Sequence, residues 1–344
     1  MTTPATGHHW EEIHELVRGL GWLVVPWHQA IRTRYDLAIA ACDWGLSELD
    51  APAVLLSHGA GTQRSRIGPA GDGVPHAFHP DRLIRDGEVV PAALALASDR
   101  EVAALASSCR AALPRAVVVG DPSFDRMRAS LPYREQYRAA LGARPGQKVV
   151  LAGTTWSPAS LFGRDPEVFT RLTTELPPDE YRVVAALHPF VWQGHGRRQV
   201  LGWLADAIGT GLQVLDPRHD WRGGLCAADV VITDHGSVGQ YAAALGIPVL
   251  VDSGSLIDVR PASTADVLSR STPLLHLDRP LAPQVREALA NHDPARCADV
   301  TEMITTRPGE SIRILRKLFY DLLGLAEPVH RVADPAVALP RIVR

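Results

Sequence analysis

A-A-D-V-V-I-T-D-H-G-S-V-G-Q-Y-A-A-A-L, residues Ala227–Leu245, is the stretch on which the fold class turns. Val230–Ile232 is a short, continuous apolar run of the kind that forms a strand buried on both faces of a parallel sheet. Thr233-Asp234-His235-Gly236-Ser237 then turns the chain, and V-G-Q-Y-A-A-A-L follows as a small-residue helix closed by Gly246 before Pro248. A strand–turn–helix of this form aims the unpaired N–H groups of the helix's first turn beyond the carboxyl end of the strand. Gly236 lets a ligand approach the backbone closely, and Ser237 adds a hydroxyl donor. The turn suits a phosphate or pyrophosphate. The plainer alternative is that Asp234 or Ser237 only caps an ordinary βα unit.

Working outward, short apolar runs alternate with helical patterns along the whole chain. Asp36–Ala41, Ala53–Ser57, Ala93–Ala97 and Ala116–Val119 read as strands, with a helix over Arg100–Ala112. Trp10–Leu20 reads as a helix and Trp22–Val25 as a strand. After a turn-rich break at 143–147 the alternation restarts. Lys148–Ala152, Tyr181–Leu187, Leu212–Leu215, Val230–Ile232 and Val249–Val251 are the strands, and Pro166–Leu176, Gln199–Ile208 and Trp221–Ala227 the helices. Such alternation implies parallel βαβ units. It predicts an α/β protein of two Rossmann-like lobes: residues 1–145 as an amino-terminal lobe, 146–308 as a carboxy-terminal lobe, and 309–344 as a last helix and tail. Gly309–Gly324 is amphipathic, with Ser311 as its expected cap and Gly324 as its stop, and the tail after Glu327 is expected to run as an extended strap.

Bulk properties agree. The chain has 344 residues, 46% hydrophobic and 21% charged, which is enough for two ordinary domains with real cores. A net charge of −3 gives no footprint for nucleic acid. Cys42, Cys109, Cys226 and Cys297 are widely spaced, which fits reduced thiols in a cytoplasmic protein better than disulfides or zinc. No signal peptide and no membrane-length apolar run is visible. Ile13, Leu16, Val17 and Leu20 fit core packing better than peripheral contact with a membrane surface.

In parallel sheets ligands collect beyond the carboxyl ends of the strands, so the residues just after each strand carry the chemistry. His58-Gly59-Ala60-Gly61-Thr62-Gln63-Arg64 follows one strand. His58 there is a candidate general base for an acceptor hydroxyl, because imidazole titrates near neutrality, with Gly59, Gly61 and Arg64 on the acceptor side. Thr154 and Thr155 follow another strand, and His188-Pro189 ends a third, where the imidazole is placed to meet phosphate. Each has a plain reading as a loop or capping residue. Trp156, next to Thr155, is the tryptophan singled out from an otherwise core-like set, and Asp165, Asp220 and Asp229 read as surface carboxylates. The histidines show no metal-ligand spacing, so no metal and no cofactor is expected. P-loop, dinucleotide-fingerprint and nucleophile-elbow motifs are all absent from the sequence.

Five segments, L-L-S-H-G-A-G-T (55–62), V-V-G-D-P-S-F-D-R (118–126), V-V-L-A-G-T-T-W-S (149–157), A-L-H-P (186–189) and A-A-D-V-V-I-T-D-H-G-S-V (227–238), stand in the order seen in the CDP-glycerol glycerophosphotransferase family. The chain resembles that family of GT-B-fold, teichoic acid polymerase-like enzymes over roughly residues 50–260. The resemblance implies two lobes whose parallel sheets face a cleft, with the last helix crossing back. It implies a metal-independent transferase that moves a glycosyl or glycerophosphoryl-type group from a CDP- or UDP-linked donor to a hydroxyl acceptor. It makes His58 and His188 the catalytic candidates, and Thr154, Thr155, Asp234, His235, Gly236 and Ser237 the donor-binding ones. The family's turn usually reads T-D-Y-S-S, so His235 and Gly236 depart from it, and no basic partner is evident after His188-Pro189. A UDP-sugar 2-epimerase or hydrolase of the same fold, or a non-catalytic nucleotide-binding protein, remains open.

Overall fold

The structure, a computed structural model, describes residues 1–2, 17–18, 21–60, 74–257, 259–330 and 335–343. The described chain forms two compact α/β units. The first takes residues up to 60, 74–121 and 306–330; the second takes 122–305 and 335–343. Trp10–Leu20 lies outside the described residues except for Val17 and Arg18, of which Val17 is buried.

The first unit is built on a parallel four-stranded sheet of β1 (Ala38–Ala40), β2 (Ala53–Leu56), β5 (Ala93–Leu96) and β6 (Ala116–Val118), in the order β1-β2-β5-β6. The alternation A-L-A-L in β5 separates its two faces. Leu94 and Leu96 join Phe78, Leu83 and Leu105 on one side. Ala93 and Ala95 join Val54 and Val119 on the other, where Leu315, Ile314, Leu318 and Phe319 of the helix Ser311–Leu323 pack. The last helix therefore returns to the amino-terminal unit. The paired Asp99 and Arg307 (2.8 Å) bind its approach to the helix Asp99–Ser108. Glu310, not Ser311, occupies the cap position; Ser311 is the buried first residue of the helix, and Gly324 ends it in the left-handed region at φ 65°. A small hairpin of β3 (Ile84–Arg85) and β4 (Glu88–Val89) turns on Asp86 and Gly87, both at positive φ. Trp22–Val25 forms no strand; Trp22 and Leu23 are exposed, and the segment bonds through its backbone to Met1.

The second unit carries a parallel six-stranded sheet: β7 (Lys148–Thr154), β8 (Tyr181–Leu187), β9 (Gln213–Val214), β10 (Val230–Thr233), β11 (Val249–Asp252) and β12 (Leu274–Leu275), in the order β12-β11-β10-β7-β8-β9. The buried middles of its central strands are apolar because helices cover both faces. Val150, Ala152, Val183, Val230 and Ile232 pack on Phe169, Leu172 and Val285 on one face. On the other, glycines bring helices close. A Cβ on Gly224 would lie 2.8 Å from Leu215 Cδ1, and one on Gly239 would lie 2.3 Å from Thr233 Cγ2. The Gln199–Ile208 helix of the sequence reading is two helices, Arg197–Trp203 and Ala205–Gly209.

The units divide at Asp121/Pro122 rather than at 143–147. The reason is Asp229. Its carboxylate accepts from the Val149 amide at the start of β7 (2.7 Å) and from Arg138 Nη1 (2.6 Å), and it pairs with Arg134 (3.0 Å). The helix Arg134–Ala140 is thereby bound to the second sheet, so Asp229 is a half-buried structural hub instead of a surface carboxylate. The tail does run as a strap. Tyr137 donates to the Val337 carbonyl (2.7 Å), Val337 donates to Ser130 Oγ (2.9 Å), and Ile342 pairs antiparallel with Leu215. No helix among the described residues is long and apolar enough to cross a membrane.

Replacing Asp229 by alanine removes the acceptor of the Val149 amide and the carboxylate partner of Arg134 and Arg138. Urea denaturation should show the second unit losing about 3 kcal/mol, with a smaller loss for Asp229→Asn.

Candidate functional site

Along the carboxyl edge of the second sheet, each strand ends on a polar residue. In spatial order they are His276 after β12, Asp252 closing β11, Asp234 after β10, Thr154 closing β7, His188 after β8 and Asp216 beyond β9. At the outer strand, the Arg218 guanidinium lowers the Asp216 carboxyl to about 2, holding it ionised.

At the centre of that edge is a buried carboxylate. Asp234, 0% exposed, accepts at Oδ2 from the Thr155 amide (2.7 Å), Thr155 Oγ1 (2.9 Å) and the Leu161 amide (3.2 Å). Its Oδ1 accepts from the Gly236 amide (2.9 Å). Thr154 Oγ1 lies 3.3 Å from Oδ2 and accepts from the Phe162 amide (3.1 Å). The sequence candidates Thr154, Thr155, Asp234 and Gly236 thus form one network. In it the threonine hydroxyls face the carboxylate and hold the strand end.

The helix Ser237–Ala244 starts from Gly236, which has no side chain with which to cap it. Gly236 has an ordinary φ of −75°, so space rather than conformation demands a glycine: a Cβ would sit 2.8 Å from Thr155 Cγ2. The same helix crosses β7 closely, since a Cβ on Gly153 would meet Val238 Cγ1 at 2.8 Å. His235 is buried, and its carbonyl accepts from Gln240 Nε2 (3.0 Å). The arrangement presents the first turn of a helix of eight residues, docked at the end of a central strand, and the backbone N–H groups of a helix's first turn suit an anion.

His188 donates its amide to the Thr154 carbonyl (3.1 Å), so β8 and β7 end together. Its Nδ1 accepts from the Phe190 amide (3.1 Å), which puts the proton of the neutral ring on Nε2 and makes that nitrogen the donor. Phe190 stacks edge-on with Trp156 at 5.5 Å, and both rings are partly exposed beside the threonine network.

In the first unit His58 follows β2 and is exposed. Its Nδ1 lies 3.2 Å from the Ala41 carbonyl. A carbonyl only accepts, so Nδ1 carries the hydrogen and Nε2 holds the lone pair, which is the form a general base requires. Gly59 supplies a φ of 77° for the turn. Gly61 and Arg64 lie outside the described residues. Among the described residues no three His, Cys, Asp or Glu side chains converge as a metal site.

The sequence reading passed over Arg164 and Asp252. Arg164 Nη1 binds Asp252 Oδ2 at 2.6 Å, across 88 residues of chain. The signal was present in part: D-S-G-S follows the β11 run, and the strand-end rule applied there finds Asp252.

No family model matches the sequence, and no curated protein matches it. Solved structures do. A variant of the wall teichoic acid polymerase TagF soaked with CDPG is similar with a TM-score of 0.63 at 12% identity, over 94% of this chain and 88% of that one. A second TagF variant gives 0.61 at 13% identity, over 88% and 78%. The UDP-GlcNAc 2-epimerase of Methanocaldococcus jannaschii, in complex with UDP-GlcNAc and UDP, gives 0.52 at 14% identity, over 92% and 82%. At such identities the likeness is one of fold, and the fold is the GT-B type with two Rossmann-like units expected from the sequence.

Asp234→Ala strands three backbone amides and two hydroxyls at the junction. Chemical denaturation should register a loss of about 2–4 kcal/mol in the second unit, and an unchanged midpoint would contradict the hub role.

Proposed function

We propose that the protein is a transferase that takes a glycosyl or glycerophosphoryl-type group from a nucleoside-diphosphate donor and passes it to an acceptor hydroxyl. The observation that carries this reading is the helix Ser237–Ala244, started by a glycine at the carboxyl end of β10 and fixed there by Asp234. A first turn so placed meets a diphosphate with backbone N–H groups whose orientation is set before the ligand arrives. Structures of the same fold soaked with CDPG, or complexed with UDP-GlcNAc and UDP, are consistent with that ligand class.

Ser237 and the amides behind it bind the donor's phosphate oxygens and take up the charge that grows on the leaving nucleotide. His188, donating from Nε2, adds a neutral hydrogen bond to the same phosphates. Asp234, Thr154 and Thr155 hold the turn in position. On the acceptor side, His58 removes the hydroxyl proton at Nε2 as the oxygen forms its new bond. If that oxygen attacks the distal phosphorus of a CDP-linked donor, the P–O–P bridge breaks and CMP leaves. If it attacks the anomeric carbon of a UDP-sugar, the C–O bond breaks and UDP leaves. Released nucleotide therefore names the reaction. An epimerase or hydrolase would turn over donor with no acceptor present.

A transfer assay with CDP- and UDP-linked donors checks these assignments. His58→Ala should lower kcat about 10²–10⁴-fold while donor affinity stays within about twofold. Ser237→Ala should weaken donor binding and slow transfer together. Full activity in both variants would overturn the assignment of roles.

A further inference from the structure

We infer that Arg164 is the cation that meets the donor's diphosphate, presented to it by the buried carboxylate of Asp252; this rests on the donor reading given above. A diphosphate carries at least two negative charges, and the turn Thr233–Ser237 offers it amides and hydroxyls but no lysine or arginine. On the carboxyl edge, at the end of the strand beside that turn, Asp252 holds the guanidinium of Arg164.

Two features place it there. β11 runs beside β10 in register, with Val251 opposite Thr233, so Asp252 and Asp234 end neighbouring strands at the same level, about 5 Å apart by strand spacing. Arg164 also closes the four-residue helix Leu161–Arg164, and Leu161, at the other end of that single turn, donates its amide to Asp234. The helix thus joins the two carboxylates, one through each end.

The guanidinium is built into its seat. Asp252, 1% exposed, binds one nitrogen at 2.6 Å and turns its second oxygen to the Gly254 amide (3.2 Å). Gly254 then leaves room above the turn: a Cβ on that residue would fall 2.0 Å from Arg164 Cζ. The pair does not exhaust this arginine. A guanidinium has five N–H donors in a planar fork, one of which serves Asp252, and the side chain is 36% exposed while its carboxylate is buried. A buried anion holding a half-exposed arginine fixes the fork without consuming it. Arg218, farther along this edge, stands beyond β9, three strands from β10, and gives two nitrogens to Asp216.

A purely structural clasp predicts something different, and the buried carboxylate allows the two to be told apart. Arg164→Gln leaves Asp252 without its cation and is expected to lower stability; Arg164→Gln combined with Asp252→Asn makes the pair neutral and should recover the melting temperature. Binding of CDP, UDP, cytidine and uridine is then measured by calorimetry for wild type, both variants and Arg164→Lys. We expect affinity for the diphosphates to fall about tenfold or more in the single and in the double variant, with nucleoside binding changed far less and Arg164→Lys intermediate. A double variant that regains both stability and diphosphate affinity would overturn the inference while leaving the donor reading intact. Wild-type protein that binds neither CDP nor UDP would overturn the donor reading, and this inference with it.

Discussion

The carboxylate of Asp234 is the interaction on which the rest of the second unit's working edge depends. It sits fully buried at the end of β10 and gathers backbone amides from Thr155, Leu161 and Gly236 together with the hydroxyl of Thr155. Those donors belong to three different stretches: the exit of β7, the start of the helix Leu161–Arg164, and the entry to the helix Ser237–Ala244. Hydrogen bonds to an ionised acceptor are each worth roughly 1.5–3 kcal/mol, and losing any partner would leave a buried charge poorly solvated. The junction is therefore held in one geometry, and the direction of the helix's first turn is set by the protein before any ligand binds. Preorganised donors are most effective at stabilising developing charge for this reason.

Close packing supplies the rest of that rigidity. Gly153, Gly236 and Gly239 occupy places where a methyl group would collide with Val238, Thr155 and Thr233 respectively. The helix lies nearer the sheet than any larger side chain would allow, so its amino terminus has little freedom to drift. A second carboxylate, Asp229, does comparable work at the opposite end of the same strand, binding Arg134, Arg138 and the start of β7. The bonds of Asp229 explain why residues 122–145 belong to the second unit although the turn-rich break lies later in sequence.

Much of this was legible in the sequence where burial leaves a simple pattern. β7, β8, β10 and β11 are continuous apolar runs, and their expected ranges agree with the structure to within two residues. The strand-end rule also located Thr154, Thr155, His188 and Asp234 on one edge. The failures have physical causes. Trp22–Val25 looks like a strand by composition, but two of its side chains are exposed and its backbone bonds to Val17 and Met1 rather than to a strand. β12 and the β3–β4 hairpin have two-residue strands, too short for periodicity, although the Asp86-Gly87 turn signal was there to be used. The pairings of Asp229 and of Arg164 with Asp252 join partners 80 to 95 residues distant, a separation no local pattern encodes.

The central claim is that the first turn of the helix Ser237–Ala244 is the anion-binding element of the donor site. Amide hydrogen exchange at Ser237, Val238 and Gly239, followed with and without saturating CDP or UDP, tests it most directly. Protection concentrated in those three amides, absent with the corresponding nucleosides, is the predicted result. Unchanged exchange there in the presence of a nucleoside diphosphate shown to bind would contradict the account.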